Sequence, residues 1–403
     1  MPNVLGSFNP IFYATNALRR LTTRGDTARR IYSAVPSDRS ANARGQITTF
    51  PRPLNFEAQE RAEGGTTEAQ DAGSQDVSIT LSYQPEVKYK ASDRQRAYSG
   101  ERLIREHINP AANALMRKIN QITLDLMRLR IGPNVAVTAA PDNVGTYITM
   151  ARREMAKNEA PVDEGNLHFA VDGGTEAAFL GANIWTSAEQ TGPGANTTLF
   201  TGSLGVRYGY EVYPERLLLD GTTYPQLGEA ITDTAAAVNG AQSLNSPTLT
   251  IDGVQANQAF VVGDRFTIDG DTTVYTVMVE RTFAGTGGTL SIYPALQKNT
   301  ADNADVTLWS RPAPFSDAGG YRVALAYHRE AVGIVYAELP DEQGRGVNYA
   351  TVRDPQTGIA IRTRMWDDGN TGDSYVALDA LIGVEVLNGN LGCVVARSAT
   401  VNA

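Results

Sequence analysis

Residues 109–131 read NPAANALMRKINQITLDLMRLRI and carry the clearest structural signal in the chain. Apolar side chains recur every three or four residues, which places one apolar stripe along a helix. Asn109 and Pro110 supply a capping residue and a first-turn proline, and Gly132-Pro133 ends the pattern. The sequence predicts a helix over 110–131, about 33 Å long. The stripe consists of Ile104, Ile108, Ala111, Leu115, Ile119, Ile122, Leu126 and Leu129.

Two strand-like segments precede this helix, at residues 47–57 and 76–89. The second alternates apolar and polar side chains, with Val77, Ile79 and Leu81 on one side. Residues 57–76, which we call the acidic tip, carry six acids and one arginine. The pattern predicts a long β-hairpin within residues 47–99. Because a two-stranded hairpin is marginal alone in water, we expect it to lie on another surface, and a neighbouring molecule is one candidate.

The first 46 residues form a basic arm with one predicted helix at 13–22. Residues 1–62 carry nine arginines and four acids, a net charge of +5, so the rest of the chain carries −14. A basic arm on an acidic body can bind an acidic neighbour, including another copy of the body; a solvated basic helix is the alternative. We expect the arm and the hairpin to become stable only across other molecules.

The region after the long helix mixes short helices and strands. Helices are predicted at 146–158 and 173–183, and strands at 167–171, 205–212 and 217–219. From 222 to 314 the chain changes to short β-type runs separated by turns, which predicts a small β-barrel or sandwich. Those runs lie at 248–252, 260–262, 265–269, 274–279, 289–293 and 306–309. Helical patterns flank this block on both sides, so we interpret it as an insertion into a host domain.

The C-terminal part of the chain is predicted to be mostly β. A strand at 321–326 precedes a short helix at 328–337. Two long strands, at 359–366 and 374–386, flank the turn 367–373. A last strand is predicted at 393–397. With the helices upstream, these elements define an α+β fold class.

The composition excludes several classes of protein. The chain has 403 residues, 42% of them apolar, with one cysteine, three histidines and a net charge of −9. These values are typical of a globular protein, and the single Cys393 excludes a disulfide framework. The negative charge argues against a generic nucleic-acid-binding protein. No apolar run reaches the roughly 18 residues of a membrane span, and the N-terminus lacks a secretory signal pattern, so we expect an intracellular origin.

No group of residues forms a predicted catalytic, cofactor or metal site. The acidic turn at 367–373 lacks the last glutamate and the flanking helices of a calcium loop. Residues 285–288 are not followed by the Lys-Ser/Thr pair of a phosphate loop, and Asp172 before two glycines fits an anion site and a helix entry equally well. His328, at a predicted helix start, is interpreted as structural, and Cys393 is predicted to be buried and unreactive.

The order of these parts resembles the major capsid protein fold of tailed bacteriophages, which encapsulins share. Several stretches are similar to those of phage coat proteins that carry an inserted β-barrel. They are TGSLG (201–205), GYEV (209–212), VGDRFTIDG (262–270), IYPAL (292–296), ALAYHREAV (324–332) and LDALIGV (378–384). The resemblance covers the chain from about residue 47 onward.

This resemblance implies a division of the chain into parts. Residues 1–46 would be an N-terminal arm, and 47–99 an extended loop over a neighbouring subunit. Residues 100–160 with 345–376 would form a peripheral domain with the long helix as its spine. The axial domain would consist of 161–221, 315–344 and 377–403, with the barrel 222–314 inserted.

The resemblance also implies a function and partners. The chain would form hexamers and pentamers of an icosahedral virion shell around double-stranded DNA, with weak and non-specific DNA contact. A scaffolding protein, a portal protein and a decoration protein would be its partners, and assembly would take place in the bacterial host cytoplasm. Some relatives cross-link lysine to asparagine between subunits, but the acidic tip has no lysine, so we predict no such cross-link.

Two alternatives remain open from the sequence. The first is an encapsulin-type compartment, which has the same fold but holds protein cargo. The second belongs to a different functional class and is a monomeric β-rich enzyme or binding domain. Under the capsid reading, the candidate assembly contacts are charged residues of the arm, the acidic tip and the C-terminal β region. They are Arg19, Arg20, Arg29, Arg30, Glu63, Glu68, Asp71, Arg364, Asp367 and Asp368.

Overall fold

The computed structural model places helices and strands in the following chain order. They are α1 (Pro10–Arg24), β1 (Tyr32–Ala34), β2 (Ile47–Arg52), β3 (Gln75–Thr80), β4 (Glu86–Ala91), α2 (Asn109–Arg130), β5 (Asn134–Ala136), α3 (Gly145–Lys157), β6 (Leu167–Val171), α4 (Gly173–Gly181), β7 (Val206–Arg207), β8 (Tyr210–Pro214), β9 (Ala237–Val238), β10 (Thr248–Asp252), β11 (Ala259–Phe260), β12 (Arg265–Ile268), β13 (Tyr275–Val277), β14 (Arg281–Thr282), β15 (Gly288–Tyr293), β16 (Val306–Leu308), β17 (Tyr321–His328), β18 (Val332–Ala337), β19 (Asn348–Arg353), β20 (Ala360–Asp367), β21 (Ser374–Asp379), β22 (Leu381–Val386) and β23 (Gly392–Ser398).

The structure describes residues 10–24, 27–34, 47–52, 60–61, 75–91, 107–132, 134–136, 145–182, 201–218, 236–254, 259–260, 262–271, 273–279, 281–283, 285–308, 321–339, 347–354, 358–368 and 373–398. The chain divides into two units. Unit 1 consists of Met1–Leu124 and Arg329–Asn388, and unit 2 of Asp125–His328 and Gly389–Ala403. No helix of the described residues is both long and apolar enough to cross a bilayer.

The predicted long helix is confirmed as α2, over Asn109–Arg130. The first half of its stripe is buried, with Ile108, Leu115 and Ile119 fully inaccessible to solvent. In the second half Ile122, Leu126 and Leu129 are half-buried, and Leu124 and Met127 are buried instead. Ile104 lies outside the described residues. Arg128 and Arg130 lie in its last turn, where cations interact favourably with the negative end of the helix dipole.

The described part of the N-terminal arm, residues 10–24 and 27–34, packs on its own unit. For these residues this corrects the expectation that the arm becomes stable only on other molecules. Helix α1 packs on β19 and β20 and buries Tyr13, Ala14 and Ala17 completely. After α1, the amide of Ala28 donates to Oδ1 of Asn120 at 3.3 Å. Strand β1 then pairs in parallel with β18. Burial of a few small apolar residues and Tyr13 outweighs the arm's high charge.

A three-stranded sheet of unit 1 has the order β1-β18-β22. Strand β18 covers most of the segment predicted as a helix at 328–337, so that prediction is wrong. All six residues of β18 are buried, so both faces of the strand are covered. A strand buried on both faces shows no polar alternation, and its short apolar run cannot be told from a helix by periodicity.

We call β2 and β3 together the ribbon; they pair antiparallel from Ile47↔Thr80 to Arg52↔Gln75. The root of the ribbon packs on its own unit, where Ile79 and Leu81 join a cluster with Val335 and Ala337. For the root this corrects the expectation that the hairpin is stable only across other molecules. The predicted strand 76–89 is therefore not continuous. It ends at Thr80, and after Pro85 the chain continues as β4 in a different sheet.

That other sheet of unit 1 has four antiparallel strands in the order β19-β20-β21-β4. The predicted strand 359–366 corresponds to β20. The predicted strand 374–386 divides at Ala380 into β21, which pairs with β20, and β22, which pairs with β18. One stretch of sequence thus supplies strands to two sheets.

Unit 2 contains a six-stranded sheet in the order β5-β23-β17-β6-β8-β7. Its apolar face packs with α3 and α4 around Phe169, Phe179 and Tyr210. The predicted strand 205–212 is interrupted by a turn at Tyr208-Gly209, where both residues have positive φ. Residues 217–218 lie in a turn after β8 and not in the strand predicted at 217–219.

A second six-stranded sheet of unit 2 has the order β16-β12-β13-β15-β10-β9. Backbone hydrogen bonds from Val238 to Ala304 (2.9 Å) and from Val306 to Ala236 (2.8 Å) join its two ends. Its interior holds Leu249, Phe266, Tyr275 and Leu290. Arg265 of β12 also donates from Nη2 to the Ile131 carbonyl just beyond α2, at 3.3 Å.

Candidate functional site

The four-stranded sheet of unit 1 has two chemically different faces. The alternation along β4 and β20 sends Val87, Tyr89, Ile361, Thr363 and Met365 to one face and the charged residues to the other. The first face is buried at Ile361, Thr363 and Met365, and α1 packs on β19 and β20 of this sheet. We call the second the charged face. It carries Glu86, Lys88, Lys90, Arg362, Arg364, Trp366, Tyr375 and Asp379.

Asp379 is the centre of the charged face, and it is fully buried. Arg362 donates to it from Nε at 3.2 Å and from Nη2 at 2.7 Å. Gln84 donates from Nε2 at 3.1 Å, and Nη2 of Arg364 lies 3.6 Å away. A buried carboxylate is tolerated only when its charge and its lone pairs are satisfied, and this set of donors does so.

The other charges of this face form cross-strand pairs. Arg364 lies 2.8 Å from Oε1 of Glu86. Lys90 lies 2.5 Å from Oδ2 of Asp373, and this hydrogen bond raises the pKa of Lys90. The exposed pairs contribute little to stability individually, so they act mainly to order the side chains that face outward.

Lys88 has a different environment from the other cations. Its Nζ lies 4.7 Å from the ring centroid of Trp366 and 4.8 Å from that of Tyr375. The two rings are stacked, with centroids 5.5 Å apart and an angle of 15° between their planes. The negative ring faces attract the ammonium, so a flexible lysine is held in one place while remaining exposed.

The predicted assembly contacts are distributed over several places. Arg364 is on the charged face, and Asp367 and Asp368 lie at the end of the β20–β21 hairpin. There Asp367 accepts a hydrogen bond from the Ser374 hydroxyl. The amide of Asp368 donates to the Asp373 carbonyl at 2.8 Å.

The remaining predicted contacts are not brought to this face. Arg19 and Arg29 are exposed, on α1 and in the turn after it, and Arg30 is half-buried in that turn. The side chain of Arg20 and the residues Glu63, Glu68 and Asp71 lie outside the part of the chain that the structure describes.

Most residues of the charged face carry no strong signal in the sequence. Lys88, Arg362, Trp366, Tyr375 and Asp379 were not singled out. A signal was present in the alternation Glu86-Val87-Lys88-Tyr89-Lys90, and in the acid of Leu378-Asp379-Ala380 within an apolar run. An acid in such a run has to find a cation, because a buried unpaired carboxylate is very costly.

The groups considered for chemistry are structural where they are described. Cys393 is fully buried, as predicted, and burial raises the pKa of its thiol to about 12. His328 ends β17 and is buried, whereas a helix start was expected. Among the described residues, no three His, Cys, Asp or Glu side chains come together as a metal site.

Comparisons with known proteins found similarities only among solved structures. No family model and no curated protein matches the chain. A structure described as the capsid of cyanophage P-SCSP1u is 11% identical, with 92% of this chain and 86% of that chain covered and a TM-score of 0.48. The mature capsid of bacteriophage PhiM1 gives 9% identity, coverages of 92% and 86%, and a TM-score of 0.47. A virus-like particle from Pyrococcus furiosus is 8% identical, with 95% of this chain and 97% of that chain covered and a TM-score of 0.40.

Proposed function

We propose that this chain is the major capsid protein of a tailed, double-stranded DNA bacteriophage, with a structural role and no catalysis. The ribbon is the observation that carries the proposal. Strands β2 and β3 form a sheet of two strands, and among the described residues no third strand pairs with them. A two-stranded sheet is marginal alone in water, and the packing on its own unit that the structure describes is at the root, around Ile79 and Leu81. Copies in a closed lattice supply one another with the missing surface.

The sequence supports the same proposal independently of the ribbon. The order of arm, hairpin, long helix, inserted β region and returning strands resembles tailed-phage coat proteins, as do the stretches at 262–270 and 324–332. The charged face adds a surface whose exposed, ordered ion pairs suit contacts that must set orientation and register. Many such contacts, each weak, give a stable shell by repetition.

We propose the domain division that the resemblance implies. The peripheral domain would be 100–160 with 345–376, and the axial domain 161–221, 315–344 and 377–403. The inserted barrel would be 222–314, which is supported by the hydrogen bonds that join β9 to the segment before β16. Arg265 would then fix this insertion to the end of α2.

The proposed partners follow from the same assignment. Hexamers and pentamers of this chain would enclose the genome, built on a scaffolding protein in the host cytoplasm and interrupted by a portal protein. The exposed Arg19 and Arg29 are candidate contacts for scaffold or DNA. A chain with a net charge of −9 would contact DNA weakly, because tight phosphate contacts need many lysines and arginines.

Production of the full chain in bacteria, followed by sedimentation and electron microscopy, tests this function. Closed shells support it, and packaged nucleic acid after infection-based production distinguishes a virion shell from a compartment for protein cargo. If Ala replacements of Arg19 and Arg29 together leave assembly and filling unchanged, the arm has no role in binding scaffold or DNA.

A further inference from the structure

Three of the four cations that β4 and β20 contribute to the charged face have a carboxylate partner in this chain. Arg362 pairs with Asp379, Arg364 with Glu86 and Lys90 with Asp373. The exception is Lys88: among the residues that the structure describes, no carboxylate oxygen lies within the 4.0 Å of an ion pair from its Nζ. Its charge is therefore not neutralised by an acid of the described part of the chain.

The Trp366–Tyr375 pair makes Lys88 a prepared site for an anion. The two rings contact one side of the ammonium, and the residue is exposed on the other. An ammonium has three N–H donors, so the solvent side still offers donors to an oxygen ligand. Because the rings already restrict the lysine, binding an anion costs less side-chain entropy than it would at a mobile lysine.

We propose that Lys88, held on Trp366 and Tyr375, binds a carboxylate of the acidic tip of a second copy of this chain. The inference rests on the proposed function and names one contact of the lattice. Charge complementarity supports the occupant, because residues 57–76 carry six acids against one arginine. The chain as a whole has a net charge of −9, so most of its surface repels an acidic segment. A lysine without an acid partner among the described residues attracts such a segment.

The ribbon's geometry favours a second copy over the chain's own tip. The ribbon extends from its root at Ile47↔Thr80 to its far end at Arg52↔Gln75, about 17 Å at roughly 3.4 Å per residue. In the sequence, the acidic residues of the tip lie between Arg52 and Asp76, and thus join the ribbon at its far end and not at its root. Lys88 lies in β4, close in sequence to the root. A short connection joins the root to β4, and in it Tyr83 forms a β-bridge with Ile382.

The experiment compares the assembly of full-length chains. Lys88→Gln removes the charge, Lys88→Arg keeps it, and Lys118→Gln is the control because Lys118 is an exposed lysine of α2. We expect Lys88→Gln to raise the concentration for half-maximal assembly about threefold to tenfold at low salt, because a weak contact is repeated around the lattice. Lys88→Arg and Lys118→Gln should assemble like the wild type, and high salt should reduce the difference.

A charge reversal in two separate chains identifies the occupant. One chain carries Lys88→Glu, and the other carries Glu63→Lys, Glu68→Lys and Asp71→Lys. We expect each to assemble poorly alone and the mixture to recover. Recovery only when all changes are in one chain would assign the site to that chain's own tip and overturn the proposal.

Two further outcomes separate the possible failures. If the wild type assembles and Lys88→Gln does so at the same concentration, the Lys88 site is wrong and the capsid function stands. If the wild type forms no shells under any condition, the proposed function itself fails. Irregular aggregation of Lys88→Gln with normal assembly of the tip variants would mean that Lys88 only protects the open edge of β4, which also overturns the proposal.

Discussion

A Cβ atom on Gly383 of β22 would lie 2.7 Å from the carbonyl oxygen of Thr80 at the root of the ribbon. It would also lie 2.8 Å from Cγ2 of Ile79. Gly333 of β18 approaches the same isoleucine, with its own added Cβ at 3.0 Å from Cδ1. Two glycines on neighbouring strands thus leave the space into which the root of the ribbon packs.

Gly383→Ala should loosen this root. The added methyl meets backbone as well as side chain, so we expect a loss of about 1–3 kcal/mol in the free energy of unfolding of the dissociated chain. Urea unfolding measures the loss, and limited proteolysis should show faster cleavage in the ribbon. Gly181→Ala is the control, since nothing lies within 4 Å of its added Cβ. Equal stability of the two variants would show that the root is not tightly packed.

Tyr13→Ala tests whether the arm is part of the folded chain before assembly. Tyr13 is fully buried in unit 1, and truncation of a buried aromatic residue costs about 3–5 kcal/mol. We expect a loss of this size in urea unfolding of the dissociated chain. Ile11→Ala on the same helix is the control, because Ile11 is 57% exposed. If both variants unfold like the wild type, α1 is not docked in the dissociated chain.

Asp379→Asn should be one of the more damaging single changes on the charged face. It leaves Arg362 and Arg364 without their shared buried carboxylate, and breaking a buried pair by removing one partner costs about 3–5 kcal/mol. Chemical denaturation measures the change. Asp163→Asn is the matched control, because that carboxylate is 88% exposed in its pair with Arg152; we expect a loss below about 1 kcal/mol there. Similar losses for both variants would contradict the central role of Asp379.

We expect the stability of the six-stranded sheet around Phe266 to fall in acid because of Asp271. Burial raises the pKa of Asp271, but hydrogen bonds from Tyr275 and Thr273 outweigh burial and hold the pKa below its ordinary value of 3.8. Stability from a carboxyl with a lowered pKa is present above its unfolded pKa and is lost as the pH falls through the folded pKa. The stability difference between wild type and Asp271→Asn should therefore be constant near neutral pH and shrink as the pH falls below about 5 and through the lowered folded pKa. A difference independent of pH would show that the carboxylate is not stabilised by these hydrogen bonds.

Local patterns in the sequence predicted the elements whose signal is local. Helix α2 and the strands β10 and β23 match their predicted positions closely, because their periodicity and their flanking Gly and Pro residues lie within one segment. Strand β18 did not, because both of its faces are buried and its sequence therefore lacks the apolar-polar alternation that marks a strand. The docking of α1 depends on β19 and β20 near the other end of the chain, and no local pattern contains that information.

The charged face shows the same limit for function. Arg364 was predicted as a contact because it is a charged residue in a strand. The role of Asp379 depends on Gln84, which is 295 residues away in sequence, and the site of Lys88 depends on the register of β4 with β21 and β20. Sequence alternation indicates which side chains share a face of one strand. Only the pairing of the strands brings the lysine to the two rings.

The most direct test of the central claim is the size distribution of the purified full-length chain, measured by sedimentation velocity and viewed by electron microscopy. The account predicts closed particles of uniform size, in equilibrium with much smaller capsomers or subunits at low concentration. A chain that remains a 43.3 kDa monomer across salt, pH and concentration, with or without a co-expressed scaffolding protein, would contradict it.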